Sequence, residues 1–159
     1  VDQLANLIEG LKTDPYSRRH IINSWNPSDL DKMALTPCHC MCQFYVDSDG
    51  LSCILTQRSG DIGLGVPYNI ASYAILTRII AKCVGLEAHK LVHNIGDAHI
   101  YEPHFDPIME QTTRVPYQFP IMNINKDIST IEDLEQLCSE DFELLEYVHH
   151  ETIKMQLVI

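Results

Sequence analysis

The sequence predicts a single α+β domain in which a mixed, largely antiparallel sheet packs against helices. Apolar side chains recur at helical spacing in two separate segments, whereas other segments alternate in the manner of strands. The turn sequence DSDG at 47–50 joins two strand-like segments into a hairpin, a connection that antiparallel strands use. The 159 residues fit one domain, since domains of ~100–200 residues are usual. Together these observations favour the α+β class.

The first half of the chain begins with a helix and continues into strands. Leu4, Leu7, Ile8 and Leu11 lie on one helical face, and DPYS follows as a stop signal. HIINSW is typical of a short strand, and NPSD turns the chain. The predicted hairpin pairs residues 39–46 with LSCILTQ.

The second half contains the strongest helix, predicted over residues 68–84. Its broad apolar stripe ends at Gly85, which suits a C-cap, and the preceding GLGVP predicts a rigid, turn-rich approach. Residues 90–101 resemble a strand interrupted at Gly96-Asp97. A short helix over 107–113 and a strand in FPIMNIN follow. After an acidic run at 132–143, residues 152–159 are predicted to form an exposed strand or tail.

Charge and composition narrow the partners. The chain has 22 acidic and 11 basic residues, so its net charge of −11 repels nucleic acids and anionic membranes. It has no window of ~18 apolar residues and no signal-peptide pattern, which predicts a soluble, cytoplasmic protein without a membrane partner. Within this acidic chain, a local concentration of positive charge is indicated by three arginines, Arg18, Arg19 and Arg58. They predict a local anion site.

Six cysteines without a secretory signal predict free thiols in a reducing compartment. In PCHCMCQFYV, three of them alternate along a predicted strand, but no C-x2-C spacing occurs, so a zinc site is not expected. The ordinary interpretation is that five of the six are small buried apolar residues. These five are Cys40, Cys42, Cys53, Cys83 and Cys138.

Cys38 differs from the other cysteines because Pro37 precedes it and His39 follows it. A nucleophilic cysteine needs a nearby cation to hold its thiolate. On a strand His39 would point away from Cys38, so an arginine from elsewhere in the chain is the expected partner. From these residues alone, Cys38 can be interpreted either as a nucleophile or as a structural thiol.

Several motifs occur together and in order along the whole chain. They are DPYSRRHIINSWNP, PCHCMCQFYV, QRSGDIGLGVPYNIASYAILT and GDAHIY. In this combination the chain resembles the thymidylate synthase family. The resemblance implies that residues 1–159 are the C-terminal portion of a thymidylate synthase domain whose N-terminal part is missing, since the chain begins with Val1 inside a predicted helix. The tail EYVHHETIKM is similar to the protozoan form, which implies a dihydrofolate reductase domain fused upstream.

The family methylates dUMP to dTMP with 5,10-methylenetetrahydrofolate, which becomes dihydrofolate, and it uses no metal. The resemblance implies that Cys38 is the nucleophile and that Arg58 and Ser59 bind the phosphate. Arg18 and Arg19 correspond to the pair that the family lends to the partner subunit of a homodimer. Guanidinium groups suit phosphate because they bind it bidentately.

Further dUMP contacts follow from the same resemblance. Asn69 is expected to read the uracil edge, because an amide offers a donor and an acceptor together. His99 and Tyr101 are expected to bind the ribose 3′-hydroxyl, and His39 and Gln57 to position the base. Asp61 is implied both in catalysis and in substrate binding.

The folate-binding residues implied by the resemblance surround the start of the strongest helix and the C-terminus. They are Asp61, Leu64, Gly65, Tyr68, Met155 and Ile159. The apolar tail, including Val158, would fold over the folate and exclude water. The alternative is a terminal strand packed on the core.

Three departures from the family pattern lie near these motifs. Thr36 stands where a second proline is usual, Tyr68 replaces phenylalanine, and Gly60 replaces cysteine or alanine, which would loosen a turn after Arg58. Glu102-Pro103 also changes the loop before His104. The family's proton-handling glutamate has no counterpart motif here, so the segment alone is not expected to turn over.

Two other function classes are alternatives to the methyltransferase that the resemblance implies. One is a catalytically inactive structural or nucleotide-binding relative, which the intact motif set disfavours. The other is a thiol-rich redox or metal protein, which would need reversible Cys38–Cys40 or Cys40–Cys42 chemistry. Neighbouring alternate residues lie ~7 Å apart on a strand, at the limit for a disulfide.

Overall fold

The fold combines one four-stranded sheet, a long helix packed on it and a separate two-stranded antiparallel sheet. The computed structural model describes residues 1–158. The helices are α1 (Gln3–Thr13), α2 (Gly65–Val84), α3 (Phe105–Thr112) and α4 (Ile131–Glu135). The strands are β1 (Ile21–Asn23), β2 (His39–Asp47), β3 (Gly50–Asp61), β4 (Ala88–His99), β5 (Ile121–Ile124) and β6 (Phe142–Leu145). None of the helices within residues 1–158 is long and apolar enough to cross a membrane.

The main sheet has the strand order β1-β2-β3-β4, and two of its three pairings are antiparallel. The predicted hairpin is present as β2 and β3, with Asp47 opposite Gly50. β3 and β4 pair in parallel, and α2 provides the crossover that parallel strands require. β5 and β6 form the second sheet. The predicted α+β class with a mixed, mostly antiparallel sheet is confirmed.

The long helix begins at Gly65, earlier than the predicted start at residue 68. The Asp61 carboxylate accepts the backbone N–H groups of Gly63, Leu64 and Gly65, so it caps the helix from the preceding strand. Pro67 is tolerated because it lies in the first turn, where its N–H would have no helical partner. The predicted end is correct, since Gly85 caps the helix with φ 72°.

β4 continues through Gly96-Asp97, where the sequence predicted an interruption. Gly96 lies against the adjacent strand, and a Cβ there would be 3.0 Å from the carbonyl oxygen of Arg58. Gly60 lies inside β3 and is buried, so the prediction of a looser turn after Arg58 is wrong. Both glycines therefore permit close packing around the end of β3.

The acidic run at 132–143 and the tail also differ from the predictions. The run begins in α4 and ends in β6. Thr130 and Asp133 form a reciprocal capping box at the N-terminus of α4. Neither element was expected from the sequence. Residues 152–158 form no strand, so within the described residues the tail alternative holds over a terminal strand.

The cysteines are mostly but not uniformly buried. Cys42, Cys53 and Cys83 are buried as predicted, Cys40 is half-buried, and Cys138 is exposed, so the prediction for Cys138 is wrong. Cys138 lies in a 3₁₀ turn and its thiol contacts the Asp141 carboxylate. Cys42 and Cys53 belong to the main core.

The main core lies between the sheet, α1 and α2, and Phe44 at its centre has no exposed surface. We expect Phe44→Ala to lower the free energy of unfolding by about 3–5 kcal/mol, because it removes buried apolar contacts and leaves a cavity. Phe119→Ala is the matched control, since Phe119 is 95% exposed, and it should change stability by less than about 1 kcal/mol. Urea unfolding of both variants measures the difference. Equal losses would contradict this assignment of the core.

Candidate active site

The predicted nucleophile Cys38 lies beside an arginine from the adjacent strand. Cys38 precedes β2, and its carbonyl oxygen accepts the backbone N–H of Arg58. Arg58 Nη2 lies 3.6 Å from Cys38 Sγ. The register shift between His39 and Met41 occurs at this end of the β2–β3 pair. Strand pairing thus brings a thiol and a guanidinium together, although 20 residues separate them in sequence.

The guanidinium of Arg58 is held by the loop before Cys38. Its Nε donates to the Pro37 carbonyl oxygen at 3.0 Å, and Nη2 donates to the Thr36 carbonyl oxygen at 2.9 Å. Nη2 also donates to Thr36 Oγ1 at 3.1 Å. A proline at position 36 could not supply that hydroxyl contact, so this departure from the family pattern adds a hydrogen bond to Arg58.

We expect Thr36→Val to weaken binding of the predicted ligand dUMP modestly, raising its KM by roughly 3–10-fold. The hydroxyl contributes one of several hydrogen bonds to Arg58, and such a bond is worth about 0.5–1.5 kcal/mol. Steady-state kinetics of the full-length protein measures the change, and Thr36→Ser, which keeps the hydroxyl, should stay near the wild type. A Ser variant as weak as the Val variant would contradict the hydroxyl's role.

A small cavity of about 220 Å³ opens beside the predicted nucleophile. It is lined by Ser24, Pro37, Cys38, His39 and Tyr73. The rings of His39 and Tyr73 meet edge to face with centroids 5.1 Å apart. Burial, with the nearby Cys42 and Cys53 thiols, raises the pKa of Tyr73 to about 12, so its hydroxyl stays protonated at neutral pH.

Two amides next to Arg58 are joined by hydrogen bonds. Gln57 is 3% exposed, and its Nε2 donates to the Ser59 carbonyl oxygen at 2.7 Å and to Asn69 Oδ1 at 2.9 Å. Asn69 lies within the first turns of α2, so it is not the helix N-cap that a generic asparagine before a helix would be. The structure therefore brings together three predicted dUMP-contacting residues, Gln57, Ser59 and Asn69.

His93 joins this group, although the sequence analysis gave it no role. Its Nε2 lies 2.8 Å from Gln57 Oε1. Burial lowers the pKa of His93, and the charge of His39 lowers it further. The only sequence signal was a histidine in a predicted strand, and its partner Gln57 is 36 residues away.

Asp61 ends β3 and faces the start of α2. Its carboxylate accepts the Gly63 N–H at 2.9 Å and the Leu64 and Gly65 N–H groups at 3.1 and 3.2 Å. A carboxylate at a helix N-terminus is stabilised by the helix dipole as well as by these bonds. The predicted folate contacts Leu64 and Gly65 are thus adjacent to Asp61, while Tyr68 is 74% exposed one turn further along.

His99 and Tyr101 are also near Asp61. His99 is the last residue of β4 and pairs with Asp61 across the parallel ladder. The His99 and Tyr101 rings lie 5.0 Å apart, edge to face, so the two side chains share one side as the i, i+2 spacing predicted. Tyr101 lies just beyond the end of the strand.

Arg18 and Arg19 lie away from the Cys38 cluster of this chain. Both are exposed, and the next residue, His20, accepts the Phe44 N–H. That contact is six residues along β2 from Cys38, or roughly 20 Å at ~3.3 Å per residue. These arginines are therefore free of the site that Cys38 and Arg58 form within one chain.

The tail lies on the body of the protein near the predicted folate contacts. His104 is fully buried, and its Nε2 lies 2.7 Å from the Gln156 carbonyl oxygen, while Nδ1 lies 3.7 Å from Asp61 Oδ1. The sequence motifs give His104 no role. Met155 is half-buried. Ile159, also predicted to contact folate, lies outside the described residues.

A cavity of about 510 Å³ lies between the tail and residues 111–120. Leu64 and Met155, two of the predicted folate contacts, both line it. Arg114 and His150 fix the tail at this cavity through bonds to the carbonyl oxygens of Glu151 and Val115. Within residues 1–158, no three His, Cys, Asp or Glu side chains converge as metal ligands.

The fold and this arrangement of cysteine, arginine and amides agree with the sequence comparisons. The sequence profile of the thymidylate synthase family matches residues 1–159, and the chain belongs to that family. It is 49% identical over 168 residues to the thymidylate synthase of Saccharomyces cerevisiae, covering 100% of this chain and 54% of that protein. It is 47% identical over 158 residues to the thymidylate synthase of human herpesvirus 8 type P, covering 99% and 46%. The chain thus spans about half the length of the curated relatives it matches.

Proposed function

We propose that the protein containing this chain transfers a one-carbon group from 5,10-methylenetetrahydrofolate to dUMP, giving dTMP and dihydrofolate. The observation that carries the proposal is the contact between Cys38 Sγ and Arg58 Nη2 at 3.6 Å. A guanidinium at this distance can donate a hydrogen bond to the sulfur and stabilise negative charge on it during nucleophilic attack. Membership of the family and relatives named thymidylate synthase support the same reaction.

In this mechanism the Cys38 thiolate adds to C6 of uracil and makes C5 an enolate nucleophile. C5 then bonds to the methylene carbon of the folate, C5 loses its proton, and the folate nitrogen leaves. A hydride from the tetrahydropterin ring reduces the resulting methylene to a methyl group as Cys38 departs. The folate is thereby oxidised to dihydrofolate, so it supplies both the carbon and the electrons, and no metal is needed.

The remaining residues bind and orient dUMP. Arg58 and Ser59 hold the phosphate, Asn69 pairs with O4 and N3–H of uracil, and His39 and Gln57 position the base. His99 and Tyr101 bind the ribose hydroxyl. The contacts among Gln57, Ser59 and Asn69, and the shared side of His99 and Tyr101, are compatible with one bound nucleotide.

We propose that folate binds next to the nucleotide, over the start of α2. Asp61 pairs with pterin N–H groups, while Leu64, Gly65 and Tyr68 contact the ring system. Met155, Val158 and Ile159 close over it as an apolar lid that excludes water. The support is the cavity of about 510 Å³ that Leu64 and Met155 both line.

The test of the reaction is covalent trapping in the full-length protein. With 5-fluoro-dUMP and methylenetetrahydrofolate, the fluorine at C5 cannot leave as a proton does, so a ternary adduct should accumulate. Intact mass and peptide mapping should place it on Cys38. If the folded protein binds dUMP but forms no adduct, it is a nucleotide-binding relative without catalysis.

We further propose a homodimer in which Arg18 and Arg19 bind the phosphate in the partner's site. Both are exposed and lie roughly 20 Å along β2 from Cys38 of their own chain, which supports action in trans. Mixing equal amounts of a Cys38→Ser subunit and an Arg18→Ala/Arg19→Ala subunit should then restore about a quarter of wild-type activity. About half of the dimers would be mixed, and one of the two sites in each mixed dimer would be intact. Activity that stays absent although mixed dimers form would contradict this arrangement.

We also propose a cytoplasmic protein with a dihydrofolate reductase domain upstream, and the similarity of the tail to the protozoan form supports the second of these points. Such a domain would reduce the dihydrofolate that the synthase releases. NADPH-dependent reduction of dihydrofolate by the natural full-length protein tests it, and its absence would leave a monofunctional synthase.

A further inference from the structure

The residues around Asn69 form a continuous chain of hydrogen bonds that ends at His93. His93 Nε2 contacts Gln57 Oε1 at 2.8 Å, and Gln57 Nε2 contacts Asn69 Oδ1 at 2.9 Å. Gln57 is 3% exposed, so water cannot readily replace either partner. His93 lies on β4 and Asn69 on α2, and Gln57 on β3 connects them.

The chemistry of the neighbours fixes which end of the Gln57 amide is nitrogen. One partner of that end is the Ser59 carbonyl oxygen, at 2.7 Å, which can only accept. The end must therefore be the NH₂ group, and the opposite end, facing His93, must be the oxygen. An amide oxygen accepts, so the proton of His93 lies on Nε2. Burial and the charge of His39 lower the pKa of His93, which favours this neutral ring.

The same logic fixes the amide of Asn69. Because Gln57 Nε2 donates to it, the contacted atom of Asn69 is Oδ1 and the free atom is Nδ2. In this orientation Nδ2 can donate to O4 of uracil, and the second lone pair of Oδ1 can accept from N3–H. A flipped amide would present the inverse pattern, which matches the amino group and N3 of cytosine.

We propose that His93 is a positioning residue that sets the preference for uracil over cytosine by locking, through Gln57, the amide orientation of Asn69. This inference rests on the proposed function, because it takes Asn69 as the group that reads the base. His93 itself does not touch the substrate. It prevents the Gln57 oxygen from being buried without a donor, and so keeps the Gln57 NH₂ directed at Asn69.

Hydrogen bonds to Ser59, Asn69 and His93 hold the Gln57 amide in place, with no help from a side chain at position 60. Gly60 is buried beside it, and a Cβ there would be 3.3 Å from Gln57 Nε2 and 3.0 Å from Val66 Cγ2. Because glycine has no Cβ, this space stays open beside the amide. The hydrogen-bonded chain of His93, Gln57 and Asn69 thus connects β4, β3 and α2, and His93 lies at its end.

The test compares His93→Leu, which removes the donor, with His93→Gln, which keeps an NH₂ donor at a similar reach. Calorimetry on the full-length protein measures the dissociation constants for dUMP and dCMP. We expect His93→Leu to weaken dUMP binding at least 10-fold and to lower the dUMP/dCMP preference by a similar factor, because a buried acceptor loses its partner. His93→Gln should keep the preference within about 3-fold.

The preference ratio separates positioning from general damage, since a loosened fold would weaken both nucleotides alike. An unchanged ratio in His93→Leu, or an equal fall in His93→Leu and His93→Gln, would overturn the proposal. If His93→Leu does not fold, His93→Phe provides a donor-free ring for the same comparison. Failure of the proposed function would be visible separately, as a wild-type protein that does not form the adduct with 5-fluoro-dUMP.

Discussion

Replacing Cys38 by serine should abolish dTMP formation by the full-length protein, with a loss in kcat of at least about 10³-fold. A serine hydroxyl is far less acidic than a thiol, and the guanidinium 3.6 Å away cannot make it a comparable nucleophile. Binding of dUMP should survive, since the phosphate and base contacts remain. Single-turnover kinetics and dUMP titration measure the two effects separately.

Two other cysteines provide matched controls for this variant. Cys40→Ser changes a half-buried thiol on β2, two residues after Cys38, and Cys138→Ser changes an exposed thiol. Both should retain kcat within a few-fold. Comparable losses in Cys40→Ser and Cys38→Ser would show that the region is merely sensitive to substitution and would remove the argument for Cys38 as nucleophile.

The second large effect is expected for Asp61→Asn, which separates two roles of one carboxylate. Asparagine is also a good helix cap, so it should preserve most of the bonds to Gly63, Leu64 and Gly65 and cost about 1 kcal/mol or less of the free energy of unfolding. Its NH₂ group, however, would meet the pterin N–H donors. We expect kcat/KM for methylenetetrahydrofolate to fall at least about 100-fold, because a charge-assisted contact is lost and two donors oppose each other.

Asp61→Ala is the complementary variant, since it removes both roles. It should lower stability by about 2 kcal/mol, because three N–H groups at the start of α2 lose their acceptor. Thermal unfolding and folate kinetics of both variants distinguish the roles. If Asp61→Asn keeps full folate-dependent activity, Asp61 is only a cap and its proposed pterin contact is wrong.

The long elements could be predicted because their signals are local and repeated. The apolar stripe of α2 and the alternation of β2 identified those elements directly. The DSDG turn then predicted β3 as the hairpin partner of β2. The start of α2 was predicted too late because Asp61, the residue that caps it, belongs to the preceding strand. The capping box of Thr130 and Asp133 was legible in the sequence, but the acidic composition around it obscured α4.

The site was only partly predictable for a different reason. Cys38 could be expected to need an arginine, yet the motif resemblance, not the spacing, selected Arg58. His93 and His104 were missed because their partners, Gln57 and Gln156, are 36 and 52 residues away in sequence. A polar side chain that matters through one distant buried partner leaves no periodic pattern. Only the folded sheet shows that such residues adjoin the site.

The position of β3 between two partner strands has a consequence for motion. Residues 51–57 lie between β2 and β4 and are paired on both sides, and pairing with β4 continues to Asp61. This strand should therefore open only with the whole domain and exchange its amide hydrogens slowest. The tail is held by single side-chain hydrogen bonds from residues such as His104 and Arg114, and each of these bonds can break independently of the others. In the proposed reaction, substrate entry and product release would therefore proceed by brief detachment of the tail, on a timescale far shorter than unfolding, while Arg58 and Asp61 stay in place.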